Sequence, residues 1–259
     1  MARGCCEEYS EGQKTYKLIN ISTGQHITTI TIVKYPKFLG YFGFMQMVLF
    51  RLPLIFNKKI SFYKLMGSGR GGGFSAVPSW HTWAVLVVKE MTDGRMTDDN
   101  NTGNVEKERY NEKTYGKFIA TYWRFFKVGI TTFILKPIEG FGTWDGKECF
   151  GKLQRGGDYT GPIAVLTRAS INPKNLRRFY KHANGFNKII QQSKGLKYSI
   201  GIGEAPWLRQ ATLSVWESKQ HMQSFAYNMR QHAEVIKKTR DEKWYTEEMF
   251  VRFKILKTF

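Results

Sequence analysis

The sequence predicts an α+β fold: two tandem ferredoxin-like β-α-β-β-α-β units forming an α+β barrel within one chain. Three observations predict it. "FYKLMGSGRGGGFSAVPSWHTWAVLVVKE" (62–90) and "LKYSIGIGEAPWLRQATLSVWES" (196–218) repeat one pattern: a strand ending in Gly-x-Gly, a loop, and an apolar strand ending in a polar pair. A β-rich segment and then a helical one precede each copy. A helix and a last strand come after each copy, and the two last strands share Ile-Leu-Lys at 134–136 and 255–257. That order is the ferredoxin-like unit, a four-stranded antiparallel sheet with helices on one face. Two such sheets in one chain can close on each other. The predicted boundaries are an N-terminal tail at 1–26, a first unit at 27–141, a linker at 142–160 and a second unit at 161–259.

Taken in chain order, "HITTITIVKY" is β-branched and reads as a strand. "FLGYFGFMQMVLFRLPLIF" (38–56) is the most apolar stretch, but Gly40, Gly43, Gln46, Arg51 and Pro53 interrupt it. It falls short as a bilayer-spanning run and reads as a buried or interfacial helix. Residues 60–66 read as a strand that enters a glycine loop. Gly67, Gly69 and Gly72 satisfy G-x-G-x-x-G, a dinucleotide fingerprint that needs a helix after the glycines. The loop leads instead into "WHTWAVLVV", a second strand, and no Gly-Lys-Ser/Thr is present. The glycines therefore connect two antiparallel strands. Residues 92–112 are polar and Gly/Asn-rich, and read as a mobile loop before the next helix. "TTFILKP" closes the first unit. In the second, "GPIAVLTRAS" is a strand and "NPKNLRRFYKHANGFNKIIQQS" a helix. Ser218 caps a helix running to about Arg240, and "VRFKILKTF" is the last strand.

At 259 residues with 42% hydrophobic and 15% aromatic content, the chain has ample material for a buried core. The N-terminal residues contain no apolar run of the secretory kind, so cytoplasmic residence is expected. Cys5, Cys6 and Cys149 make neither a disulfide framework nor a C-x-x-C metal site. The net charge of +19 implies a polyanionic partner, nucleic acid or an anionic membrane leaflet, or else a solvated basic surface. The basic residues are dispersed and no C2H2 finger or RNP1 octapeptide occurs, so nucleic acid is the less favoured partner. Attachment to the cytoplasmic face of an anionic membrane is an expectation from this charge and the segment at 38–56.

"FYKLMGSGRGGGF", "GPIAVLTRASINPKNLRRFY", "SIGIGEAPWLRQATLSVWES" and "FAYNMRQHAEVIKKTRDEKWYTEEMFVRF" together resemble the spheroidene monooxygenase family, over about residues 28–259 and most densely in the second unit. The resemblance implies an oxygen-dependent monooxygenase containing haem b. It would hydroxylate and then ketolate an acyclic carotenoid, a lipophilic polyene, near C-2; the electron donor stays unknown. Related haem proteins on α+β barrels bind iron through a histidine. Two alternatives remain: another haem reaction on the same scaffold, such as aldoxime dehydration, or a basic module that binds anionic lipid or nucleic acid without chemistry.

Five histidines are present, His26, His81, His182, His221 and His232, and the last four are weighed for the iron. On the capped helix Met222, Phe225, Ala226, Met229, Ala233 and Ile236 form an apolar stripe. His232 falls two turns after Phe225 on the same face. The resemblance makes it the first choice as axial ligand and metal-binding residue, with Phe225 and Met229 beside the cofactor; a satisfied core histidine is the plain alternative. His81 and His182 rank next after His232; His221 shares its side but lies in the first turn, where solvent is expected, and comes after them. Arg70 either pairs with a haem propionate or faces water. Gly69 and its neighbours either admit a bound group or reverse the chain. Trp80, Trp83, Trp207, Trp216 and Trp244 suit a polyene cleft or a core. Glu247 and Glu248 read as a solvated surface pair, with paired-carboxylate catalysis as the alternative.

Overall fold

The computed structural model describes residues 8–11, 14–20, 25–73, 75, 77–91, 95–98, 104–153, 159–205, 207–231 and 244–259. In chain order the strands are β1 (Glu8–Glu11), β2 (Lys14–Asn20), β3 (His26–Lys34), β4 (Phe62–Gly69), β5 (Pro78–Glu90), β6 (Arg95–Asp98), β7 (Gly129–Gly142), β8 (Ile163–Ile171), β9 (Leu196–Ala205), β10 (Arg209–Trp216) and β11 (Tyr245–Thr258). The helices are α1 (Gly40–Leu49), α2 (Arg51–Phe56), α3 (Asn104–Tyr115), α4 (Lys117–Phe125), α5 (Leu176–Gln191) and α6 (Lys219–Gln231). Eight strands close a barrel in the order β10-β8-β11-β7-β3-β5-β4-β9, each neighbouring pair antiparallel. The chain is therefore an α+β protein built on a closed antiparallel barrel.

Closure gives each strand two covered faces, and the sequence of β5 reflects it. Ala84, Val85, Leu86, Val87 and Val88 are all buried, with no polar alternation. Ala84, Leu86 and Val88 point into the barrel, where they meet Ile30, Ile32, Met66, Leu135, Leu166, Leu213, Val251 and Phe253. Val85 and Val87 point outward against Phe50, Leu54, Tyr115, Ile119 and Trp123. Outward threonines of β3 are satisfied by α3: Thr29 Oγ1 and Tyr110 OH lie 2.6 Å apart, and Thr31 Oγ1 and Tyr115 OH 2.7 Å. A second outer cluster, Ile163, Val165, Ile190, Trp216 and Met222, covers the other half of the barrel.

Several expectations are corrected. The N-terminal tail contains β1 and β2, which with β6 make a separate three-stranded sheet. The same pairing, and the start of α3 at Asn104, replace much of the mobile loop expected at 92–112. Polar composition misled there, because these strands are short and pair with each other. The stretch expected as a plain linker carries Trp144 and Phe150, 0% and 4% exposed, into the barrel core. The last strand begins at Tyr245, six residues before the expected one. Residues 232–243, which hold the C-terminal part of the helix expected to reach Arg240, lie outside the described residues.

Candidate functional site

One end of the barrel interior is occupied by charge. Lys64 on β4, Arg168 on β8, Glu204 on β9, Arg209 on β10 and Glu247 on β11 are each in phase with inward apolar neighbours, so the pleat turns them inside. The connection after β7 adds Trp144 and Asp145. Arg168, 1% exposed, binds Glu247 through Nη1 and Asp145 Oδ1 through Nη2 at 3.2 Å, while its Nε is 3.8 Å from Glu204 Oε1. Lys64 Nζ pairs with Asp145 and, at 2.6 Å, with Glu204 Oε2. Trp144 Nε1 donates to Glu204 Oε1 at 2.6 Å. Arg209 Nη1 lies 3.3 Å from Asp145 Oδ1.

Glu247 also accepts from Thr143 Oγ1 at 2.7 Å and the Gly146 N–H at 2.9 Å. Burial pushes its carboxyl upward, but the Gly146, Thr143 and Arg168 donors and the Arg168 charge outweigh it and hold the pKa at about 2. Glu247 is thus a structural carboxylate inside the barrel, whereas Glu248 is exposed; the expected solvated pair is split by the strand period. Three cations against three carboxylates, together with Trp144 and Phe150, plug this end of the barrel. Burial pushes the thiol of Cys149, beside the plug, up to about 12, which keeps it protonated near neutral pH.

The outer face of the second half offers a different surface. Phe141 and Phe250 stack at 5.7 Å, and Phe225 of α6 lies over Trp216 at 5.2 Å. Ile138, Val165 and Met222 complete an apolar wall. On it, Arg252 lies against Glu139, which Lys219 of α6 approaches at 3.7 Å. Arg252 Nε and Nη1 are buried; Nη1 makes an ion-pair contact with Glu139, yet neither nitrogen is aligned for a hydrogen bond. A flat macrocycle with carboxylate arms would meet apolar side chains here and one guanidinium, which is already in ion contact with Glu139. Among the described residues no group of three His, Cys, Asp or Glu side chains could hold a metal, and a haem needs only an axial ligand from the chain.

The structure scatters the predicted site residues. His232 lies outside the described residues, and so do the side chains of Met229 and His182. Phe225 lines the wall just described. His221 is half-buried: its N–H donates to Ser218 Oγ at 3.3 Å, the expected cap, and its Nδ1 is 3.1 Å from the same oxygen. Its ring also fills the space over Gly195. His81 stands on β5 in the first half, its ring closed off by α1 at Gly40. Gly69 ends β4 and Arg70 is exposed on the turn after it; that turn contacts β5 and β9, not the wall under α6. Gly71 and Gly72 have φ of +78° and +77° with open space around them, so the backbone of the turn itself calls for glycine at both positions. Trp83, Trp216 and Trp244 are core residues, while Trp80 and Trp207 are exposed. Sequence reasoning missed Arg168, Glu204 and Arg252. Arg168 and Glu204 carried a signal, a charge in phase with buried apolar positions on a strand.

A cavity of about 290 Å³ lined by Lys107, Asn111, Trp123 and Lys127 lies between α3, α4 and β7. It belongs to the first half and falls just below the size of ordinary small-molecule sites, so it carries no reading of the chemistry.

No family model matches the chain. Among curated proteins, the spheroidene monooxygenase of Cereibacter sphaeroides is 32% identical over 234 residues, covering 89% of this chain and 67% of the relative. That of Rhodobacter capsulatus is 32% identical over 215 residues, covering 82% and 83%. Among solved structures, an aldoxime dehydratase in complex with butyraldoxime superimposes with a TM-score of 0.53 at 9% identity, over 98% of this chain and 86% of that one. That likeness concerns the fold alone.

Proposed function

The chain belongs to the spheroidene monooxygenase family and is an oxygen-dependent monooxygenase; from that premise we propose that it uses haem b to hydroxylate, and then ketolate, an acyclic carotenoid near C-2. The observation that carries the activity is 32% identity over nearly the whole chain to enzymes named for spheroidene. What supports the cofactor is the wall under α6, where Phe225, Trp216 and Phe250 offer apolar contact and the Arg252 guanidinium, ion-paired to Glu139, offers a positive charge to a propionate. His232, one residue beyond α6, is proposed as axial ligand. When bound, haem supplies oxygen activation. One oxygen atom enters a C–H bond and the other leaves as water, using two electrons and two protons from an external reductant. The chain's own residues bind the flat group, exclude water and orient the polyene end.

We also read the halves of the barrel as tandem ferredoxin-like units. The strand orders β7-β3-β5-β4 and β11-β8-β10-β9 support this, because each places the fourth, first, third and second strands of its half side by side.

The test is an absorption spectrum of protein produced with ample haem, and then product analysis with an acyclic carotene, oxygen and a reductant. A Soret band and hydroxylated then ketolated products are expected. His232→Ala should abolish or shift the band. Wild-type bands in that variant would overturn the ligand assignment. A colourless protein that still oxygenates carotene would overturn the haem assignment.

A further inference from the structure

Among the described residues, the most exposed apolar surface belongs to the first half, away from the wall under α6. Residues Lys37–Phe56 form a helical segment long and apolar enough, by length and composition, to cross a bilayer, with a mean hydropathy of 1.5. Only one side of it is packed. Gly40, Gly43, Gln46, Phe50 and Leu54, at helical spacing, are buried against the barrel. Gly43 permits this contact, since a Cβ there would lie 2.1 Å from Trp83 Nε1. Gln46 Oε1 accepts from Tyr35 OH at 2.9 Å and from Trp123 Nε1 at 3.2 Å, which fastens the helix to the sheet. A segment held this way lies along the protein and does not leave it to span.

The opposite side is apolar and uncovered: Phe38 is 84% exposed, Phe56 76%, Leu52 64% and Ile55 59%. α4 continues the surface. Phe126, after its end, stacks on Phe42 at 4.3 Å, and the neighbouring Phe125 is 77% exposed. A soluble surface rarely carries such a continuous patch, which marks contact with a membrane or another protein.

Charge chooses between them. No Asp or Glu occurs between Glu11 and Glu90, and the exposed cations Lys37, Lys58, Lys59, Lys117 and Lys127 border the patch. A hydrophobic band edged by cations on a chain of net charge +19 matches a leaflet with acyl chains inside and anionic headgroups outside; a second copy would oppose its own cations. We infer that the outer face of α1 and α2, extended by α4, is a docking surface that lies in the interface of an anionic lipid bilayer, with Phe38, Leu52 and Phe56 among the acyl chains.

The inference does not rest on the carotenoid reading, because its test contains no carotenoid. Full-length protein is floated with vesicles of phosphatidylcholine alone or with about one third phosphatidylglycerol, at low and high salt. Wild type should partition at least about tenfold better to the anionic vesicles, with the advantage shrinking in salt. Phe38→Ser/Leu52→Ser/Phe56→Ser should lower partitioning on the order of a hundredfold while keeping its melting temperature, since these side chains are already exposed. Val105→Ser, 64% exposed on α3, is the matched control and should float as wild type. Equal binding by the triple variant and wild type would overturn the assignment. So would failure of wild type to float while ultracentrifugation shows a dimer that the triple variant dissociates, since the occupant is then a second copy.

Discussion

Replacing Arg168 by Met should destabilise the protein more than almost any other single change to a polar residue. The guanidinium is 1% exposed and contacts carboxylates from two strands, Glu204 and Glu247, and from the β7–β8 connection, Asp145. Methionine fills much of the volume, so the loss is chiefly electrostatic. It leaves Lys64 and Arg209 against three carboxylates in the barrel end. Breaking a buried pair from one side costs about 3–5 kcal/mol, because the partners stay desolvated. For a chain of this size that is a fall of roughly 6–20 °C in Tm. The pH dependence gives a second, sharper readout. Glu247 is held at about 2 in the folded protein, below its ordinary value of 4.5. Its contribution is therefore complete above pH 4.5 and is lost as pH falls through about 2. In Arg168→Met that acid limb should flatten, since the main cationic partner is gone. Urea unfolding monitored by tryptophan fluorescence at several pH values, from neutral down to about 2, measures both effects. A loss below about 1 kcal/mol at neutral pH, or an acid limb identical to wild type, would refute the account of the plug.

Three further outcomes rest on particular contacts. Gly43→Ala should cost about 1–3 kcal/mol, because the new methyl meets the Trp83 indole, itself held by its Nε1 donation to Trp80 O at 2.9 Å; near-UV circular dichroism should change with it, and an unaltered spectrum and stability would contradict the packing. Gly71→Ala and Gly72→Ala should each cost about 1–2 kcal/mol from positive φ alone, with haem spectrum and turnover per folded molecule unchanged; a selective loss of turnover would show that the loop lines the cofactor or substrate cleft. Arg252→Met should weaken haem retention roughly tenfold, read by transfer of haem to a scavenging protein, with the Soret position kept; unchanged retention would remove Arg252 as the propionate partner.

The sequence by itself determined the order of elements in each half and the antiparallel pairing across the glycine loop. Apolar strands bounded by glycine or proline and one duplicated strand-loop-strand pattern are local signals that survive in one dimension. It also determined the apolar character of 38–56 and the cap at Ser218, where an oxygen three residues ahead of His221 N–H is a local fact. Only the tertiary structure decided what depends on closure. Pairing of β7 with β11 and of β4 with β9 closes the barrel and gives it an inside, and only an inside makes Arg168, Glu204 and Glu247 gather with Lys64. Trp144, read as part of a linker, became core because the connection folds back over the barrel end. Arg252 looked like any basic residue of a strand. Its place beside Glu139, which Lys219 of α6 also approaches, arises because helix and sheet meet there, and no spacing along the chain encodes that.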